Sequence, residues 1–390
     1  MINKPKLLRI ATVATSLDIL LKGQLRFLQG HFEVKALSGL DDQLVMVQKR
    51  EGVEVIDLPM SRKINIVNDI VSFFRLYYAF RKEKPTIVHS ITPKAGLLSM
   101  TAAWIARVPI RMHTFTGLVF PTQKGLMKKL FITTDKLVCQ MATHVYPEGQ
   151  GVKNDLISNK ITNKPLKVLA NGNVNGIDTE YFNSIHFTDI DNQILRKKLN
   201  IQPQDFIFVF VGRLVGDKGI NELVSAFIEI SIKSINETKL VLVGSYEHDL
   251  DHLSINTLDA INDNANIITT GFQEDIRPFL AISDVFVFPS YREGFPNVVM
   301  QAGAMNLPCI VTDISGCNEI IEENNNGIII LPQDTSALLK AMQHLIDNPS
   351  FRQSLTQNAR QIIVSRYEQK LVWEALLAEY QLLLKEKQIK

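Results

Sequence analysis

The chain predicts an α/β protein built from two open, parallel, Rossmann-like sheets. Two observations carry the prediction. Short β-branched or apolar runs alternate with helical patterns along the whole length, and the alternation starts afresh after a stretch rich in Gly, Asn and Asp near the middle. A length of 390 residues agrees with two domains of about 150–200 residues each. In the first half the expected strands are Leu7–Thr12, Phe32–Ala36, Val53–Asp57, Thr86–His89, Val108–Thr114, His144–Tyr146 and Lys167–Leu169, with helices notably over Ile66–Lys82 and Ala95–Ala106. The second half begins with Phe206–Val211. It continues with Lys239–Val243, Ile267–Thr270, Val285–Pro289, Cys309–Thr312 and Gly327–Leu331. Helices are expected near Ile220–Ile232, Ile276–Ile282, Asn297–Met305 and Ser336–Asp347. The segment Asn171–Asp205 reads as the linker, so the domains are taken as residues 1–185 and 200–368. The tail, 369–390, is expected to form an amphipathic helix that crosses back to the first domain. Ligands of open α/β sheets bind outside the carboxyl ends of the strands, so the expected site is the cleft between the two domains.

Composition narrows the class. A hydrophobic content of 46% and a charged content of 21% describe an ordinary globular protein. Three cysteines without paired ligand spacing argue against a disulfide framework or a zinc site and fit a reducing compartment. The run Leu7–Ala14 is too short for a signal peptide, and Ala95–Ala106 falls short of the ~20 residues that span a bilayer. The expectation is a cytoplasmic protein, at the inner face of the cell membrane if it is peripheral. Residues 1–190 hold 25 Lys/Arg against 15 Asp/Glu, a balance of +10, and the remainder carries −8. A basic half suits an anionic partner such as a phosphorylated acceptor or a lipid surface. The basic residues are not interleaved with an aromatic stacking platform, so nucleic acid is not expected.

The densest motif is Ser290–Gln301. An apolar strand runs into a polar turn, and a helix begins near Pro296, a residue suited to a first helical turn. Glu293, Asn297 and Gln301 are four apart, so a helix through all three would align them on one stripe. Hydrogen-bonding groups beside a helix N-terminus suit a polyhydroxylated anion, and a sugar nucleotide is such a ligand. After strand Phe206–Val211, Gly212 permits a tight turn, and Arg213 and Lys218 place two cations that can neutralise a diphosphate leaving group. The segment around Gly271 and Phe272 can offer backbone groups to a base edge, and Thr312–Gly316 can offer N–H groups to phosphate or sugar. In the first half, Gly23 would let a helix start approach a diphosphate. His113, at a strand end, can hydrogen-bond a sugar hydroxyl or assist proton transfer, and His89 and His144 are weaker candidates of the same kind.

Taken together, these motifs resemble the retaining family-4 glycosyltransferases of GT-B architecture over nearly the whole chain. Gly212–Gly219 is similar to that family's phosphate-binding turn, and Arg292-Glu293-Gly294-Phe295-Pro296-Asn297 to the start of its Glu-x₇-Glu signature. Val88–Gly96, Arg111–Thr114 and Gly172–Asp178 support the likeness, which points within the family to bacterial capsule, lipopolysaccharide and lipid-linked-oligosaccharide enzymes. The resemblance implies that Arg213 and Lys218 hold the donor diphosphate, that Glu293 binds donor-sugar hydroxyls, and that His113 is the cleft histidine near the transferred sugar. It implies a nucleotide-binding segment from Gly294 through Phe295, Pro296 and Asn297 to Gln301, a UDP-linked hexose or N-acetylhexosamine donor, and no metal or other cofactor. The first domain would bind the acceptor, expected to be polyprenyl-diphosphate-linked, and the second the nucleotide sugar.

One position departs from the pattern: Gln301 stands where the family has its second acid, which binds the ribose hydroxyls. An amide gives up a charge-assisted bond, so weaker donor binding is expected. No motif in the first half marks a carboxylate as the nucleophile, which favours same-face substitution through an oxocarbenium-like state. The segment Phe120–Phe131 mixes apolar and basic residues as an interfacial segment does. The competing expectations are a GT-B-type sugar-nucleotide epimerase and a catalytically silent sugar-nucleotide-binding subunit.

Overall fold

The computed structural model describes residues 4–61, 65–233, 237–247 and 251–389. The chain divides into two compact units, one formed by residues up to Gly176 together with Gln369 onward, the other by Ile177–Glu368.

The first unit holds six parallel strands: β1 (Lys6–Ile10), β2 (Glu33–Ser38), β3 (Glu54–Asp57), β4 (Ile87–Ser90), β5 (Ile110–Phe115) and β6 (His144–Pro147). The second holds β7 (Phe206–Val211), β8 (Thr238–Val243), β9 (Ile267–Gly271), β10 (Val285–Phe288), β11 (Cys309–Thr312) and β12 (Gly327–Ile330). The sheet orders are β3-β2-β1-β4-β5-β6 and β12-β11-β10-β7-β8-β9, the same doubly wound topology twice. In each sheet the winding reverses between the first and fourth strands, β1/β4 and β7/β10. At that point the two diverging loops leave room for a ligand. The central strands are apolar on both faces because helices cover both sides: β7 reads Phe-Ile-Phe-Val-Phe-Val, and all but its first residue are buried.

One face of the first sheet packs the helices Ile66–Glu83, Pro93–Ile105 and Gly125–Met141 through Leu76, Phe80, Ala102 and Val138. On the other face Leu7, Ala11, Ile87 and Met112 meet Leu376, Tyr380 and Leu383 of the helix Gln369–Glu386, the last helix of the chain. That helix crosses back to the first unit because its apolar stripe completes this core.

Three expectations need correction. Lys167–Leu169 forms no strand. Pairing there is confined to a single bridge between Val145 and Leu166, one position before the run. The expected linker is mostly structure: from Ile177 it belongs to the second unit, and it carries the helix Asp189–Lys198, started by a Thr188/Asp191 capping box. The helix after β10 runs over Asn297–Ala304, so Glu293 sits in the turn before it and only Asn297 and Gln301 share its stripe.

Candidate active site

In the second unit the loops after β7 and β10 meet at the switch point. The β7 loop makes a single 3-10 turn, Gly216–Lys218, and ends at Gly219 with φ +71°. A Cβ there would lie 2.1 Å from the carbonyl oxygen of Pro289, at the end of β10, so only glycine lets the loops close on each other. One backbone and one side-chain bond lock the contact: Tyr291 N–H donates to the Asp217 carbonyl at 2.9 Å, and Arg292 Nη2 to Asp217 Oδ2 at 3.0 Å.

This closure brings Lys218 to Glu293, 75 residues later in sequence. The ammonium donates to Glu293 Oε1, and the Ser290 hydroxyl donates to the same oxygen at 3.0 Å. Ser290 is itself fixed, since its carbonyl accepts from the buried Thr312 hydroxyl at the end of β11. The two side chains are 13% and 17% exposed: sheltered enough to hold one geometry, open enough for a ligand to reach. Lys218 Nζ also lies 5.8 Å from the centre of the Phe288 ring. An ammonium, a carboxylate and a hydroxyl at one strand-end mouth can bind a diphosphate and a polyol side by side.

Arg213 is not drawn into this cluster. Its Nη1 donates to Glu247 Oε2 at 2.9 Å, beyond β8, with the side chain 42% exposed. Gly294 carries the turn on which Gly316 closes, since a Cβ on Gly316 (φ +78°) would fall 2.5 Å from the Gly294 carbonyl oxygen. Phe295 and Pro296 are buried, and Phe295 packs edge-on against Tyr367. Their side chains therefore serve the core, and what they can offer a ligand is backbone. Asn297 and Gln301 are half-buried on the following helix. Gln301 hydrogen-bonds no described side chain. Phe272, just past β9 at the sheet edge, is 77% exposed.

In the first unit His113 is buried, with Nδ1 2.8 Å from Ser90 Oγ and its ring edge-on to Phe115. Gly96 makes room for it: a Cβ there would sit 2.5 Å from the imidazole. Burial pushes its pKa down to about 3, so the ring is neutral. Gly23 opens a helix with φ +80°, but its N–H donates to Glu51 Oε1 at 2.9 Å and a Cβ would strike Trp373. Packing under the last helix is what requires this glycine. His89 is no ligand either. Arg9 Nη1 can only donate, so His89 Nδ1 accepts at 2.8 Å, and Nε2 faces Thr114 Oγ1 at 2.8 Å. Tyr380 OH completes the group, 2.6 Å from both Arg9 Nη1 and His89 Nδ1. Burial, then the Arg9 charge, holds the His89 pKa well below its usual value. Arg9 Nε and Nη2 have no partner among the described residues and border a cavity of about 20 Å³, room for one water. His144 is half-buried, with Nδ1 2.9 Å from the neighbouring Thr143 hydroxyl.

Sequence reasoning missed Ser290, Asp217 and Glu247. Ser290 and Asp217 lie inside the quoted motifs, yet the partner each would find depends on which strands become neighbours.

A doubly wound sheet built twice is the GT-B architecture. Two family models divide the chain between them: "Glycosyl transferase 4-like domain" matches residues 27–172 and "Glycosyl transferases group 1" residues 191–362. The capsular polysaccharide biosynthesis glycosyltransferase CapM of Staphylococcus aureus is 32% identical over 389 residues, 98% of each protein. The chain belongs to this family of group 1, family-4-like glycosyltransferases. It is also similar to the Escherichia coli UDP-Gal:α-D-GlcNAc-diphosphoundecaprenol α-1,3-galactosyltransferase, 29% identical over 79% of this chain and 78% of that one. In fold it matches Anabaena HepE, solved in complex with UDP, at TM-score 0.81 and 16% identity, over 97% of this chain and 99% of that one.

Proposed function

We propose that the protein transfers a hexose or N-acetylhexosamine from a UDP-sugar to a polyprenyl-diphosphate-linked glycan in bacterial capsule or related polysaccharide synthesis. Transfer retains the anomeric configuration and uses no metal ion. The observation that carries the reading is the Lys218–Glu293 pair at the β7/β10 switch point. Without ligand each group neutralises the other. A donor diphosphate takes Lys218, which frees Glu293 to accept hydrogen bonds from sugar hydroxyls.

The remaining roles follow the surroundings. Arg213 swings from its exposed contact with Glu247 to the diphosphate. Backbone N–H groups near Gly294 and the Asn297 side chain serve phosphate and sugar, Gln301 serves the ribose, and the exposed Phe272 ring stacks on the base. His113, kept neutral by burial, meets a hydroxyl of the transferred sugar. Leaving-group departure is assisted by Lys218 and Arg213, and the departing phosphate oxygen takes the acceptor proton as the new bond forms on the same face. The names of the relatives, one in capsular polysaccharide biosynthesis and one acting on α-D-GlcNAc-diphosphoundecaprenol, support the acceptor class. The UDP complex of the structural neighbour supports the base.

A thermal-shift series with UDP, GDP, ADP and their sugar conjugates, with and without EDTA, tests the donor site. The expected result is stabilisation by the UDP series alone, unchanged by EDTA. No shift with any nucleotide at millimolar concentration would overturn the reading and favour a catalytically silent scaffold subunit, the alternative that the amide at Gln301 motivates. Retention is read from the product's anomeric coupling by NMR.

A further inference from the structure

The first unit buries a cation that no carboxylate touches. Arg9, on the central strand β1, is fully buried, and a guanidinium keeps its charge inside a protein. Its hydrogen-bonding neighbours are uncharged. Nη1 donates to His89 Nδ1 and to the Tyr380 hydroxyl; burial holds the imidazole neutral and raises the phenol's pKa. Glu379, one residue before Tyr380, is already engaged, since it accepts from the Tyr146 hydroxyl at 2.8 Å and pairs with Lys167. Glu148 borders the same cavity as Arg9 but makes no hydrogen bond to it.

What remains is the Nε–Nη2 edge of the guanidinium. These two nitrogens present parallel N–H groups, the fork with which arginine grips an anion. Both are buried and without a partner among the described residues. Arg9 borders a cavity whose wall includes Thr114, Leu169 and, from the last helix, Val372 and Leu376. A volume of about 20 Å³ holds one water or one monatomic ion and is too small for a tetrahedral oxyanion. Water would satisfy the N–H groups and leave the charge unpaired, which is costly in a buried place. A small anion meets both demands.

We propose that this cavity binds a single halide ion, chloride being the common one, on Nε and Nη2 of Arg9. Tyr380 holds the same guanidinium and the last helix forms part of the wall, so the ion fastens that helix to β1 and β4. The stability of the first unit is thereby linked to chloride concentration.

Trp104 and Trp373, the two tryptophans of the chain, both belong to the first unit, so fluorescence reads its unfolding. Thermal melts of the full chain in sodium chloride, bromide and gluconate at equal ionic strength test the site, gluconate being too large to enter. The midpoint should rise saturably with chloride or bromide, by about 3–5 °C once the ion exceeds its dissociation constant tenfold. Arg9→Met should abolish the difference between chloride and gluconate. Equal midpoints in the two salts would overturn the proposal, because the cavity would then hold water. So would a rise without saturation that persists in Arg9→Met, which marks a general salt effect. A chloride dependence seen only in Glu148→Gln would do the same, by making that carboxylate the counterion. Should Arg9→Met not fold, bromide-soaked crystals of the wild type decide: an anomalous peak is expected beside Arg9 Nε and Nη2, and its absence refutes the site.

Discussion

The two switch points of this molecule share one topology and use it in opposite ways. At β7/β10 the side chains are charged, paired and partly open: Lys218 to Glu293, with Ser290 behind. In the first unit the polar groups at the β1/β4 switch point are sealed, with Arg9 and His89 under Tyr380 of the last helix. A doubly wound sheet thus supplies a location, and what covers the strand residues decides whether they bind a ligand or organise a core.

The sharpest way to break this contrast is at Lys218. Lys218→Ala should lower the transfer rate about 10²–10³-fold, the magnitude of losing one positioned electrostatic group, with little change in melting temperature. A matching loss of stability would make the pair structural instead. At the sealed site the effect should be on folding. Leu376→Ala, which opens a hole over the first sheet, should cost about 2–5 kcal/mol in denaturant unfolding while nucleotide affinity in the second unit stays the same. A drop in nucleotide affinity would show that the two regions are not separable.

Within the first unit, two buried groups give pH dependences of opposite sign. His113 has a folded pKa of about 3 against an ordinary 6.5. As pH falls from about 6.5 towards 3, the unfolded chain takes up a proton that the folded protein refuses, so stability falls; above that window it is flat. Buried Asp135 acts oppositely, with a carboxyl raised by burial from 3.8 to about 7. Stability falls as pH rises through that interval, because only the unfolded chain ionises. Asp135→Asn should therefore raise the melting temperature at pH 8 and leave it unchanged near pH 3. An equal gain at both pH values would exclude ionisation as the cause. The smallest expected effect is at Gln301: Gln301→Glu should lower the donor KM a few-fold, and an unchanged KM would argue against a ribose contact.

How legible each part was follows from the range of the forces involved. Strand β7 was read residue for residue, because a run of six apolar residues buried on both faces leaves a strong local signal. Lys167–Leu169 misled because a three-residue run looks like a strand locally, while whether it pairs beyond the Val145–Leu166 bridge depends on the neighbouring strand. Lys218 and Glu293 were each visible as a polar group in a turn after a strand. That they touch depends on β7 lying beside β10, a fact of topology. Arg9 gave no signal at all: nothing within Lys6–Ile10 announces that a tyrosine 371 residues away will close over it.

The path of the chain has a further consequence. The second unit is entered at Ile177, whose N–H donates to the Tyr367 carbonyl at 2.7 Å, so the chain leaves where it came in. On the ribosome the second unit is complete once Glu368 has emerged, whereas the first must wait, its polar strand residues uncovered, for the helix that begins at Gln369. The domain translated first is thus the last to finish folding, and chains truncated at Glu368 and released from the ribosome should show protease resistance in the second unit alone.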